Sequence, residues 1–235
     1  MAQSDDGAQQ NLGGFEGLLI DLDGTLVDSV PDLAAALNKL LAEEGHGPLA
    51  RNEVADMVGD GVQRLVERGF AARGIANLQG LDALVERFLG HYEVALSVES
   101  RPYPGVLETL DALKAAGLRL AVCTNKPQAA SERMLADLEL AAAFETVAGG
   151  DAFAVRKPDG GHLLGTLERL GVAPEAAAML GDSHNDVAAA RNAGLPVVLV
   201  SYGYSRRPAH EMGADAVIDR FEEIGAALAR LSARG

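Results

Sequence analysis

Six short apolar runs, the first five separated from one another by helical patterns, constrain this chain more than any other feature. They are Gly17–Ile20, Leu118–Cys123, Phe144–Ala148, Ala177–Leu180, Pro196–Val200 and Ala216–Ile218. Continuous rather than alternating hydrophobicity marks strands buried on both faces. The intervening helices read as Val106–Ala116, ended by Gly117, then Pro127–Leu138, Gly161–Leu170 and Asn185–Ala193, with Phe221–Leu231 closing the chain. Strands alternating with helices imply right-handed crossovers and a parallel sheet covered on both faces, an α/β doubly wound fold. Only the stretch from Asp28 to Ser100 breaks the rhythm: it carries helical spacing throughout and no convincing strand. Its stripes are Leu33, Ala36, Leu37, Leu40 and Leu41, then Val54–Val58 and Val62–Phe70, then Leu81 to Tyr92. The reading is therefore a core built from 15–27 and 101–235, a helical insertion over 28–100, and a loose polar tail over 1–14.

In open parallel sheets ligands collect beyond the carboxyl ends of the strands. The notable polar groups of this chain fall there. Asp21 and Asp23 end the first run, Thr124 and Asn125 follow Cys123, Lys157 lies in the loop after Ala148, and Gly181-Asp182-Ser183 follows Leu180. Residues two apart on a strand point the same way, so Asp21 and Asp23 face one space, and Gly24 lets the chain turn sharply beside them. Taken alone, an Asp-x-Asp pair is more often a polar turn than a reaction site. The company it keeps reverses that balance.

Charge narrows the partners. The 235 residues carry a formal net charge of −14, which disfavours nucleic acid and anionic membranes, both of which need a positive footprint. Aromatic residues make up 4% and tryptophan is absent, so there is no base-stacking platform. An anionic small molecule would have to be captured by a few local cations and a metal. No apolar run approaches a membrane span, and the polar first fourteen residues lack the pattern of a secretory signal. The single cysteine, Cys123, forms no internal disulfide and reads as a small buried hydrophobe; a reducing, cytoplasmic setting is expected. The oligomeric state is left open.

The constellation fits phosphoryl transfer. Lys157 and a divalent cation would neutralise the phosphoryl oxygens, with the Thr124 hydroxyl and the N–H groups of Gly24 and Asn125 donating to them. Asp21 could then attack phosphorus, while Asp23 gives a proton to the departing oxygen and later takes one from water. Asp21 and Asp182 offer the hard oxygen ligands that Mg²⁺ prefers, and Asp186 either belongs to the metal site, directly or through bound waters, or orients Lys157.

These residues resemble, in order, the four motifs of the haloacid dehalogenase-like phosphatases. Asp21-Leu-Asp-Gly-Thr25 is similar to the first, Thr124-Asn125 to the second, Lys157-Pro158 to the third, and Gly181-Asp-Ser-His-Asn-Asp186 to the fourth. The resemblance implies a Rossmann-like core with an inserted α-helical cap, Asp21 as nucleophile and Asp23 as acid/base. It also implies Mg²⁺ held by Asp21, Asp182 and the Asp23 main-chain carbonyl. Leu26-Val-Asp-Ser29, Val58-Gly-Asp-Gly61 and the motif spacing are most similar to the bacterial phosphoglycolate phosphatase branch of that family. Hydrolysis of 2-phosphoglycolate, a small phosphate monoester, is the activity so implied. In place of the second proline of Lys-Pro-x-Pro stands Gly160, from which a softer loop and intact chemistry are expected.

Several readings compete at single positions. The loop at Gly59 and Gly61 either brings N–H groups to the substrate's carboxylate or is a simple turn between helices. Arg64 reads as an exposed helical side chain, and no role falls to His184 or the other histidines. Asp23 argues against dehalogenation, which lacks the second acid, and a cap with Lys39 as its only lysine argues against a Schiff-base hydrolase. A sugar phosphatase or phosphomutase, acting on a hexose phosphate or N-acetylmuramate 6-phosphate, is the alternative. A non-catalytic binding module would be expected to have lost Asp21, Lys157 or Asp182.

Overall fold

The computed structural model describes residues 12–75 and 78–233. Strands β1 (Gly17–Ile20), β4 (Arg119–Cys123), β5 (Thr146–Ala148), β6 (Ala177–Gly181), β7 (Val197–Val200) and β8 (Ala216–Ile218) form one parallel sheet in the order β5-β4-β1-β6-β7-β8. The chain leaves β1 for β4 on one side and later reaches β6 on the other, so the order reverses around β1. That is the crevice at which doubly wound folds bind ligands.

The period of two sorts each strand between two cores. Leu18, Ile20, Leu120, Val122, Leu180 and Val198 face one cluster, while Leu19, Ala121, Cys123, Met179 and Leu199 face the other. The second cluster is completed by helices α7 (Gly160–Leu170) and α8 (His184–Ala193), through Leu163, Leu167 and Val187. Each fully buried leucine or phenylalanine contributes roughly 1.5–3 kcal/mol. Gly160 belongs to this packing: a Cβ there would lie 2.7 Å from the backbone of Asn192 and Ala193, so the close approach of α7 to α8 excludes a proline. Asp159 caps α7 by accepting from the Gly161 N–H at 2.8 Å.

The insertion carries α1 (Val30–Glu43), α2 (Arg51–Ala55), α3 (Val62–Ala71) and α4 (Leu81–Val94). Their stripes Leu33, Leu37, Leu65, Phe70, Phe88 and Tyr92 join the first cluster, so cap and sheet share one apolar core. Gly69 allows α3 to approach α1, with the Leu37 methyls 2.9 Å from where its Cβ would be. Helices α5 (Val106–Ala115), α6 (Gln128–Asp137) and α9 (Ile224–Ser232) cover the same side of the sheet.

Three expectations are corrected. The segment beginning at Asp28 does contain strand: β2 (Val27–Asp28) pairs antiparallel with β3 (Arg101–Pro102), so the two crossings between core and insertion are bound to each other. Two residues per strand are too few to leave a periodic signal. The loose tail does not extend to Gly14, because Leu12 is buried in the core and a Cβ on Gly13 would lie 2.4 Å from Ser232; the remainder, 1–11, lies outside the described residues. Phe221 to Glu223 is a separate 3₁₀ turn rather than the start of α9. Among the described residues no helix is long and apolar enough to cross a membrane.

Candidate active site

Asp21 follows β1 directly and is fixed there by its N–H, which donates to the Leu180 carbonyl at 2.9 Å. Gly24 turns the chain at φ +84, and a Cβ on it would lie 2.4 Å from Asp182 Oδ2, so both backbone angle and space require glycine. The ends of β1 and β6 lie side by side because the two strands pair in parallel, Ile20 opposite Leu180. Oxygens of Asp21, Asp182 and Asp186 all lie within 4.8 Å of one another, and all three residues are buried.

Lys157 holds this cluster. Its Nζ donates to Asp186 Oδ1 at 2.7 Å and lies 3.0 Å from Asp21 Oδ1, in an ion pair where Oδ1 receives no well-aligned hydrogen bond. The other oxygen of Asp186 accepts from the N–H groups of Asp182 and Ser183 and from the Ser183 hydroxyl. Both oxygens of Asp186 are therefore engaged, and of the two roles open to it in the sequence, orienting Lys157 is the one the contacts describe. Burial pushes the Asp21 carboxyl up to about 6 against the pull of Lys157, with Asp186 adding to the rise. Burial, then Asp186 and Asp21, likewise hold Asp182 well above the ordinary carboxylate range. Burial alone would lower the Lys157 pKa, but Asp186 and Asp21 outweigh it and keep the ammonium charged. Three buried carboxylates against one cation, with Asp21 Oδ1 lacking a hydrogen-bond donor, is a donor set that suits a hard divalent cation.

Asp23 points to a different partner. Its two oxygens lie 3.1 and 3.3 Å from Nζ of Lys126, which also donates to the Tyr92 hydroxyl of α4 at 2.6 Å. Sequence reasoning passed over Lys126, although it follows Thr124-Asn125 directly, because a lone lysine after a strand has no distinctive pattern. Burial works against its charge, but Asp23 and Tyr92 outweigh that and raise its pKa above the lysine range. Tyr204, also unforeseen, ties the loop after β7 to two places. Its N–H donates to Asp182 Oδ2 at 2.7 Å, and its hydroxyl donates to Asp28 Oδ1 while accepting from Ser29 N–H.

The remaining predicted residues are placed with one correction. The Gly24 N–H donates to the Val27 carbonyl at 2.9 Å within its own turn, so it is not offered to a ligand. The Thr124 hydroxyl accepts from the Lys126 N–H at 3.3 Å and keeps its own proton to donate. Asn125 Nδ2 donates to the carbonyls of Gly59 and Lys157, both at 3.0 Å. Asn185 Nδ2 donates to the same Gly59 carbonyl and to Asp60 Oδ1. The cap loop is thus clamped to the core through its carbonyl, a contact that the glycine spacing did not announce. Arg64 is exposed beside Glu67, as expected. Cys123 is buried, and burial pushes its thiol up to about 12. His162 is buried beneath Phe153, and burial pushes it down to about 4.

Gly59 and Gly61 close a chamber of about 40 Å³ over Asp21, Asp23, Thr124, Asn125 and Lys126. The Val58–Gly59 backbone separates it from a larger cleft of about 450 Å³ that reaches Asp182 and is flanked by Arg68, Arg206 and Arg207.

Comparison with known proteins agrees with this geometry. The family model for haloacid dehalogenase-like hydrolases matches residues 18–200. The phosphoglycolate phosphatase of Agrobacterium fabrum is 44% identical over 211 residues, covering 89% of this chain and 91% of that protein. That of Rhodospirillum rubrum is 47% identical, covering 89% of each. The crystal structure of a predicted phosphoglycolate phosphatase from Haemophilus somnus superposes with a TM-score of 0.86 at 33% identity, covering 91% of this chain and 98% of that one. The chain belongs to the haloacid dehalogenase-like hydrolases and is a phosphoric monoester hydrolase.

Proposed function

We propose that this phosphatase hydrolyses 2-phosphoglycolate to glycolate and phosphate through an aspartyl phosphate on Asp21. The observation that carries the reading is the 44% and 47% identity, over 89% of the chain, to two phosphoglycolate phosphatases. The chamber over the two aspartates, about 40 Å³, is confined, and it leaves less room for a hexose phosphate than for a two-carbon ester.

A carboxylate oxygen of Asp21 attacks phosphorus as the bond from phosphorus to the glycolate oxygen breaks. Asp23 gives its proton to that departing oxygen. Water then attacks the phosphoryl group, passing a proton to Asp23, and the bond to Asp21 breaks to release phosphate. Lys157, the Thr124 hydroxyl and the Asn125 N–H balance the phosphoryl charge, and Asp186 holds Lys157 in place. Asp21, Asp182 and the Asp23 main-chain carbonyl would hold Mg²⁺, which would supply positive charge to the phosphoryl oxygens.

The larger cleft beside the chamber favours one second reading, a sugar phosphate extending toward Arg206. A panel of phosphate monoesters in Mg²⁺ separates the two: 2-phosphoglycolate is expected to have the highest kcat/KM, and Asp21→Asn to abolish turnover of every ester. A hexose phosphate or N-acetylmuramate 6-phosphate preferred tenfold would replace the substrate assignment. Turnover persisting in Asp21→Asn would remove the nucleophile.

A further inference from the structure

A buried lysine needs a reason, and Lys126 has more than one partner can give. Its side chain is 2% exposed, and it bridges the two halves of the molecule, with Asp23 of the core on one side and Tyr92 of the cap on the other. Its Nζ also lies 4.6 Å from the centre of the Tyr92 ring, so the aromatic face and hydroxyl together fix where the ammonium can go. An ammonium has three N–H donors. One serves the Tyr92 hydroxyl and one is shared between the oxygens of Asp23, which leaves a third for whatever occupies the chamber that Lys126 lines.

We propose that Lys126 is the specificity-determining residue that binds the substrate's second anionic group, the carboxylate of 2-phosphoglycolate. The assignment rests on the proposed function and follows from a chain of contacts. Asp23 must touch the ester oxygen to protonate it, and Lys126 touches Asp23. In 2-phosphoglycolate the carboxylate carbon is two bonds from that ester oxygen. A group so placed can reach Nζ while the ester oxygen stays within reach of Asp23, because Nζ lies 3.1 and 3.3 Å from the Asp23 oxygens. The same position in a sugar phosphate holds a neutral carbon bearing a hydroxyl or the ring oxygen, neither of which can replace the charge-assisted hydrogen bond of a carboxylate.

The other cations near the site are less suited. Lys157 is held by Asp186 and Asp21 on the phosphoryl side. Arg68 pairs with Asp60 and Arg206 with Asp56, their side chains 41% and 67% exposed, so solvent screens both. Burial gives Lys126 the stronger field and the fixed geometry. In a chain of net charge −14, an interior cation also offers an anion an attraction that the surface does not.

The test compares 2-phosphoglycolate with 2-hydroxyethyl phosphate, which has the same ester and a neutral hydroxymethyl group in place of the carboxylate, in Mg²⁺. The wild type is expected to prefer the carboxylate by about 100-fold in kcat/KM, and Lys126→Met to reduce that ratio to about fivefold or less, chiefly through KM for 2-phosphoglycolate. Tyr92→Phe removes only the hydroxyl that aims the ammonium, and is expected to lower the ratio several-fold. A lysine that merely holds Asp23 would slow both esters alike, so an unchanged ratio in the two variants overturns the assignment. Equal use of both esters by the wild type overturns it as well. A wild type that leaves 2-phosphoglycolate untouched while cleaving other monoesters defeats the substrate reading along with it, and is recognised by that pattern.

Discussion

The core and the cap solve the problem of charge in opposite ways. In the core, Asp21, Asp182 and Asp186 are buried with oxygens within 4.8 Å of one another, and buried Lys157 pairs with Asp21 and Asp186. In the cap, the charged pairs Arg51–Glu99, Arg64–Glu67 and Arg87–Glu44 lie at the surface, and the helices hold together through Leu37, Phe70 and Phe88. The core therefore fixes the reaction, and the cap supplies a shaped apolar lid with a few polar fingers: the Gly59 carbonyl, Asp60 and Tyr92. A change in the core should be felt as chemistry and stability together. A change at the seam should be felt as substrate affinity alone.

The largest effect tests the core side of that contrast. Lys157→Met leaves three buried carboxylates with no cation among them. Breaking such a network costs about 3–5 kcal/mol of stability, and losing the phosphoryl cation costs about 10³-fold in kcat. Denaturant unfolding and steady-state kinetics on one preparation would read both. A variant that kept its stability while losing activity would mean that the cluster is not held by Lys157, and the core would then resemble the cap more than claimed.

The same contrast explains what could be read in the chain beforehand. Asp21, Asp182 and Lys157 were legible because strand ends place them, and the apolar runs that make the strands are the loudest signal present. Asp186 was legible too, by its spacing from Asp182 across a strand-to-helix junction. Lys126 and Tyr204 were not, since each acts by meeting a residue far away in sequence, Tyr92 in one case and Asp28 in the other. The use of the Gly24 N–H by Val27 was hidden for a different reason. A turn's internal hydrogen bond depends on how tightly it closes, and composition does not record that. The β2–β3 ribbon escaped because pairing of two residues leaves no periodicity. Sequence thus announced what the backbone dictates and was silent on what the side chains negotiate across the seam.

The seam itself provides the sharpest comparison, because it contains a part-buried contact and an exposed one between the same two halves. Asn185 is buried and donates to the Gly59 carbonyl at 3.2 Å and to Asp60 Oδ1 at 2.6 Å. Arg206 pairs with Asp56 at 3.1 Å, with both side chains well exposed. A hydrogen bond to a charged group is worth about 1.5–3 kcal/mol, and this one is part-buried. Asn185→Ala is accordingly expected to lower kcat/KM for 2-phosphoglycolate at least about tenfold, by loosening the loop that closes the chamber. An exposed ion pair contributes about 0–1 kcal/mol and is screened by salt. Arg206→Ala should therefore change kcat/KM by less than about threefold, and the difference from wild type should vanish at about 0.5 M salt, where the screening length falls toward a few ångströms. If Arg206→Ala were instead the more damaging change, at high salt as well as low, the larger cleft would be where the substrate binds, and the case for a two-carbon ester in the small chamber would fail.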